Sequence, residues 1–152
     1  MRRLRLLFAA TLAAATPAAG QPGAPTVGAR ADHLAIHVTN LEASANFYER
    51  MFGLEPMPAV PNPTIRWMRA GAFELHLIGG RTAAHGLPRE VHLALRVDNL
   101  DSLTERLDRQ KVSWGDFAGT KREASVRFDG VRQIYLRDPD GYTIEVNELP
   151  KR

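Results

Sequence analysis

The chain has 152 residues, with 20 Lys plus Arg against 17 Asp plus Glu and no cysteine. That length supports one domain with a real core and is too short for two full ones. The lack of cysteine excludes disulfides, thiolate chemistry, cysteine metal ligands and a cysteine-linked lipid anchor.

Residues 1–20 read as a secretory signal peptide. Met1-Arg-Arg-Leu-Arg5 is basic, Leu6 to Ala15 is a short alanine-rich apolar run, and Ala18-Ala-Gly20 places small residues before Gln21. The run is too short to span a bilayer. The expectation is a periplasmic or secreted protein with no membrane association after cleavage. Loss of Arg2, Arg3 and Arg5 lowers Lys plus Arg from 20 to 17, equal to the 17 acidic residues. A formally neutral mature chain carries no electrostatic footprint of a nucleic-acid partner. Residues 21–30, QPGAPTVGAR, read as a flexible linker, and 31–149 as the folded domain.

His33-Leu-Ala-Ile-His-Val-Thr-Asn-Leu-Glu42 opens that domain, and His92-Leu-Ala-Leu-Arg-Val-Asp-Asn-Leu-Asp101 repeats it 59 positions later with six of ten residues identical. Two copies are too few for a solenoid and indicate internal pseudo-symmetry, with unit one over 31–80 and unit two over 90–149. In the first copy His33, Ala35 and His37 alternate with Leu34, Ile36 and Val38, which predicts a strand. Asn40 then caps a helix with Leu41, Ala45, Tyr48 and Phe52 on its apolar side, and Gly53 ends it. The segment EPMPAVPNP, with four prolines, reads as at best an edge strand and a loop. Strands are expected at Thr64–Arg69 and Phe73–Ile78, joined by a turn at Ala70-Gly71.

Unit two begins with a strand ending near Val97. Asn99 or Asp98 caps a helix that buries Leu100, Leu103 and Leu107 and runs to about Gln110. Strands follow at Val112–Phe117, weakly at Ala124–Phe128, then at Arg132–Arg137 and Tyr142–Asn147, with Asp138-Pro-Asp-Gly141 as the turn between the last two. Each unit reads strand, helix, strand, strand, strand.

Each unit therefore starts with a strand-borne histidine and closes with a strand-borne glutamate, Glu74 or Glu145. Glu145 is flanked by Ile144 and Val146, and a lone carboxylate in such a strand is costly to bury without a metal ion or a proton. Two imidazoles and two carboxylates suit zinc, nickel, iron, manganese or cobalt with positions left open for substrate. His76 shares a face with Glu74 and can replace or supplement it. His37 and His85 read as hydrogen-bonded histidines, and Phe47 and Tyr48 as helix packing.

The strings DHLAIHV, NLEASANFYERMFGLE, VHLALRVDNLD and YLRDPDGYTIEV, spread over residues 31–149, resemble the vicinal oxygen chelate superfamily of glyoxalases, extradiol dioxygenases and bleomycin-resistance proteins. The resemblance implies an α+β fold in which two βαβββ units form a cupped, eight-stranded mixed sheet or barrel. It implies a divalent metal in the cup, held by His33, Glu74, His92 and Glu145. Glu145, and otherwise Glu74, is then the catalytic residue that takes and returns a proton beside a carbonyl or hydroxycarbonyl oxygen bound to the metal. A small-molecule substrate and a homodimer are also implied. Two alternatives belong to the same resemblance: a dioxygenase or thiol transferase using two histidines and one glutamate, and a metal-free small-molecule binding protein, whose pocket Trp67, Trp114 and Tyr135 would line. The segment Phe117–Val131 is longer than a compact member needs. It is a candidate lid or substrate wall, with Lys121, Arg122 and Arg127 either solvated or available to an anionic substrate.

Overall fold

Each copy of the repeat becomes a strand feeding a helix. The computed structural model describes residues 28–58, 61–83 and 86–149. The signal-peptide reading and His85 lie outside the described residues. All elements fall in one compact unit, Ala31–Arg152. None of the described helices is long and apolar enough to cross a membrane.

Unit one comprises β1 (His33–His37), α1 (Leu41–Phe52), β2 (Glu55–Pro56), β3 (Ile65–Ala70) and β4 (Phe73–Ile78). Unit two comprises β5 (His92–Val97), α2 (Leu100–Arg109), β6 (Trp114–Gly115), β7 (Ser125–Val126), β8 (Arg132–Arg137) and β9 (Thr143–Glu148). The caps are those the repeat dictates. Asn40 accepts from the Ala43 amide and Asn99 from the Ser102 amide, each satisfying an orphan donor of the first turn. Gly53 closes α1 at φ 69°, a left-handed conformation open to glycine at little cost.

Unit one forms a four-stranded sheet ordered β1-β4-β3-β2, and unit two a five-stranded sheet ordered β5-β9-β8-β6 with β7 also on β8. β1 lies parallel to β4 and β5 parallel to β9, so each histidine strand pairs with its own closing strand. Nine strands form among the described residues: the eight of the paired units and β7, which falls within the short strand expected at Ala124–Phe128. The strand expected over Val112–Phe117 shrinks to two residues. The sheets do not close into a barrel. Leu34, Ala35 and Ile36 of β1, Val91, and His92 and Leu93 of β5 line one cleft of about 320 Å³.

Helices cover one side of the sheets. Ile36, Tyr48, Met51, Met68, Leu75 and Leu77 of unit one join Leu100, Leu103, Leu107, Ile134, Ile144 and Val146 of unit two in a single apolar core. A buried polar lock also joins the units. Asp140 accepts from the Thr39 amide (2.7 Å) and the Ser44 hydroxyl (2.9 Å), at the N-terminal end of α1 where negative charge is favoured. Asp138 accepts from the Tyr48 hydroxyl (2.8 Å) and from the Asp140 and Tyr142 amides. Tyr48, expected only to pack, is therefore also a donor. With the apolar side filled, the second faces of both sheets carry the polar residues of alternate register.

Candidate metal centre

Strand alternation and cross-strand register build two related half-sites. In unit one His33 stands opposite Glu74, which stands opposite Arg69; one step on, Ala35, His76 and Trp67 form the next row. In unit two the rows are His92, Thr143 and Arg137, then Ala94, Glu145 and Tyr135. His76 therefore occupies the place in unit one that Glu145 occupies in unit two, and Glu74 corresponds to Thr143.

The unit-two half is the more enclosed. Every residue of β9 is buried. His92 Nε2 lies 3.3 Å from Glu145 Oε2. His92 Nδ1 is 2.9 Å from the Arg89 carbonyl oxygen, which can only accept, so Nδ1 carries the proton of the neutral ring. Nε2 then presents a lone pair to a carboxylate oxygen that already accepts from the Tyr135 hydroxyl at 2.5 Å. Two acceptors in that position repel unless a cation lies between them, either a proton or a metal. Two adjacent ligands of one ion, each about 2.1 Å from it, lie roughly 3.0–3.4 Å apart, so the spacing suits a metal. An imidazole whose other nitrogen donates to a backbone carbonyl is likewise the ordinary support of a metal ligand.

Other groups hold Glu145 ionised. The Asn147 amide donates to Oε1 at 2.6 Å, and the Arg127 guanidinium lies 3.9 Å from the same oxygen. Burial pushes the Glu145 carboxyl up, but the bonds from Tyr135 and Asn147 and the charge of Arg127 outweigh it, leaving the carboxyl below its ordinary value. Burial, then the bond to Glu145, drives the Tyr135 phenol far above its usual range, so it stays a donor. Thr143 Oγ1 and Gln133 Oε1, buried on the same face, have no hydrogen-bond partner, which marks a surface able to accept a polar ligand.

In unit one the His33 ring stacks on the His76 ring (4.2 Å between centroids), which stacks on Trp67 at 4.4 Å. His33 Nδ1 bonds to Asp32 at 2.8 Å. Glu74 reaches His76 Nε2 at 3.2 Å and Arg69 at 3.7 Å. The expected ligands thus come together in pairs and not as a quartet. Among the described residues, no three His, Asp or Glu side chains converge as a metal-holding group.

Of the expected cations only Arg127 reaches the site. Lys121 pairs with Glu123, and Arg122 pairs with Asp108 and lies over Trp114. Trp114, expected with the pocket aromatics, stands opposite core-facing Leu136 and packs against the core. His37 bonds the Gly79 carbonyl, as a hydrogen-bonded histidine should. Sequence reasoning did not assign Asn147, Asp32 or the Arg89 carbonyl. Period-two alternation from Glu145 would have found Asn147.

Paired βαβββ units, each carrying a histidine and carboxylate half-site on its sheet, define a two-module α+β fold. The chain belongs to the Glyoxalase/Bleomycin resistance protein/Dioxygenase superfamily, whose model matches residues 30–146. It is similar to Glyoxylase I 4 of Arabidopsis thaliana, with 21% identity over 125 residues covering 76% of this chain and 68% of that one. Among solved structures, a glyoxalase/dioxygenase from Nostoc punctiforme aligns with a TM-score of 0.68 at 22% identity, covering 88% of this chain and 99% of that chain. Lactoylglutathione lyase from Agrobacterium tumefaciens aligns with a TM-score of 0.60 at 22% identity, covering 81% and 96%.

Proposed function

We propose that the chain is an exported, metal-dependent enzyme of the glyoxalase-like kind, moving a proton at the carbon beside a carbonyl or hydroxycarbonyl oxygen of a small substrate. The observation that carries the reading is the pair His92 Nε2 and Glu145 Oε2, 3.3 Å apart, with each residue held by outside partners. A zinc, nickel, iron, manganese or cobalt ion held by His33, His92, Glu145 and a member of the Glu74–His76 pair would stabilise charge developing on the substrate oxygen. The chain itself handles the proton. Glu145 takes and returns it, and the Tyr135 hydroxyl and Asn147 amide keep the carboxylate aimed. Glu74 is the second carboxylate available on the polar faces, and Arg127 offers a cation beside Glu145.

The working form is read as a homodimer, as the resemblance implies. Export rests on the basic and apolar leader of residues 1–20; protein recovered from the periplasm or medium should begin at Gln21. A second reading is two-histidine, one-glutamate dioxygenase or thiol-transfer chemistry. It is favoured by the bonding of Glu74 to His76 and Arg69, which leaves His33, His92 and Glu145 as the ligand trio.

The deciding experiment is plasma mass spectrometry of mature protein purified without a histidine tag, beside His92→Ala and Glu145→Ala. Near-stoichiometric metal lost in both variants is expected. Nickel or zinc directs the reading to isomerase or lyase chemistry, iron to the dioxygenase. A wild-type protein that holds no metal and takes up no added divalent ion overturns the enzyme reading and leaves a metal-free binding protein.

A further inference from the structure

We propose that His76, and not Glu74, is the metal ligand contributed by the closing strand of unit one, with Glu74 as the carboxylate that orients it. The proposal rests on the metal reading above and refines its ligand set.

Register carries the argument. In each unit the first-strand histidine leans two residues along the closing strand: His92 reaches Glu145, and His33 lies on His76. The cross-strand rows agree, since Ala35, His76 and Trp67 match Ala94, Glu145 and Tyr135. Glu74 falls in the row of Thr143. Burial follows the same pairing. The side chains of His76 and Glu145 are 13% and 11% exposed, and that of Glu74 is 30% exposed.

His76 is also the better prepared donor. Its ring is stacked on His33 and Trp67, nearly parallel to both, so joint ligation with His33 requires the His33 ring to turn out of the stack. The ionised Glu74 carboxylate can only accept, so the 3.2 Å contact puts the neutral ring's proton on Nε2 and leaves the lone pair on Nδ1. A carboxylate on the far nitrogen of an imidazole is the usual support of a histidine ligand. Glu74 is meanwhile divided between His76 and Arg69. The donor set becomes three imidazoles and one carboxylate, which suits zinc, nickel, cobalt or iron over magnesium or calcium.

The test titrates zinc into metal-free mature protein by calorimetry, for wild type, Glu74→Gln, His76→Asn and His76→Phe, with His92→Ala as reference. Phenylalanine keeps an aromatic ring between His33 and Trp67 but has no nitrogen, so it separates ligation from stacking. Equal melting temperatures of His76→Phe and wild type confirm that the comparison is between folded proteins. Glu74→Gln, an orienting change, should weaken zinc about tenfold, and both His76 variants by about a hundredfold or more. Pulsed electron paramagnetic resonance of the copper(II)-loaded proteins gives an independent count. Glu74→Gln should keep the wild-type number of coordinated imidazoles, and His76→Phe should show one fewer. A Glu74→Gln loss equal to or larger than that of His76→Phe, or an unchanged imidazole count in His76→Phe, overturns the assignment. If His92→Ala abolishes binding while His76→Phe binds as wild type, the assignment fails and the metal site stands. A wild type that binds no zinc or copper overturns both.

Discussion

Replacing Tyr48 with Phe tests whether the Asp138-Pro-Asp-Gly141 turn locks the two units together. The tyrosine is 1% exposed and its hydroxyl donates to Asp138 Oδ2 at 2.8 Å, across 90 residues of sequence. The substitution removes one oxygen, creates almost no cavity, and leaves a buried carboxylate oxygen short of a donor. A buried bond to a charged group stabilises by about 1.5–3 kcal/mol. For a fold of this size that corresponds to a fall in melting temperature of roughly 5–10 °C.

The pH dependence sharpens the test. Burial pushes the Asp138 carboxyl above its ordinary value despite the opposing bonds from Tyr48 and the Tyr142 and Asp140 amides. An acid raised on folding stabilises fully below its unfolded pKa, and that contribution is lost as pH rises through the folded value. Tyr48→Phe removes a donor that favours the ionised form and so raises the folded value further. Its deficit should be small at about pH 3 and grow as pH rises past about 4. Urea unfolding followed by circular dichroism at several pH values measures this, and a double-mutant cycle with Asp138→Asn should give a coupling of at least about 1 kcal/mol. A loss under about 0.5 kcal/mol at pH 7, or one independent of pH, would show that the hydroxyl does not support the lock.

Two further outcomes follow from close contacts elsewhere. A β-carbon at Gly115 would lie 2.3 Å from the Lys121 carbonyl oxygen, a backbone atom that cannot swing aside. Gly115→Ala should therefore destabilise by about 1–3 kcal/mol in urea unfolding, and wild-type stability would refute so close an approach. Tyr135→Phe removes the 2.5 Å bond to Glu145 and should weaken zinc binding by calorimetry about tenfold, with a cooperative unfolding transition retained. Undiminished affinity would take Tyr135 out of the site.

What the chain discloses before folding follows the range of the physics. The strands of His33 and His92, the Asn40 and Asn99 caps and the Gly53 stop are encoded within a few residues, and all form as read. The pairing of Tyr135 with Glu145 was also within reach, because a four-residue turn at Asp138–Gly141 sets the register of β8 against β9. Register between β1 and β4 is different in kind. It joins strands 40 residues apart, and no local turn states whether His33 stands beside Glu74 or His76. Matching the units by their glutamates put Glu74 in the place of Glu145; pairing puts His76 there. Separation of the sheets was hidden for the same reason. Both histidine strands look alike in sequence and both have a free edge, but which edges join depends on how the shared core and the Tyr48–Asp138 lock set one unit against the other. The repeat therefore discloses two half-sites, and the placement of one against the other depends on contacts that no stretch of ten residues contains.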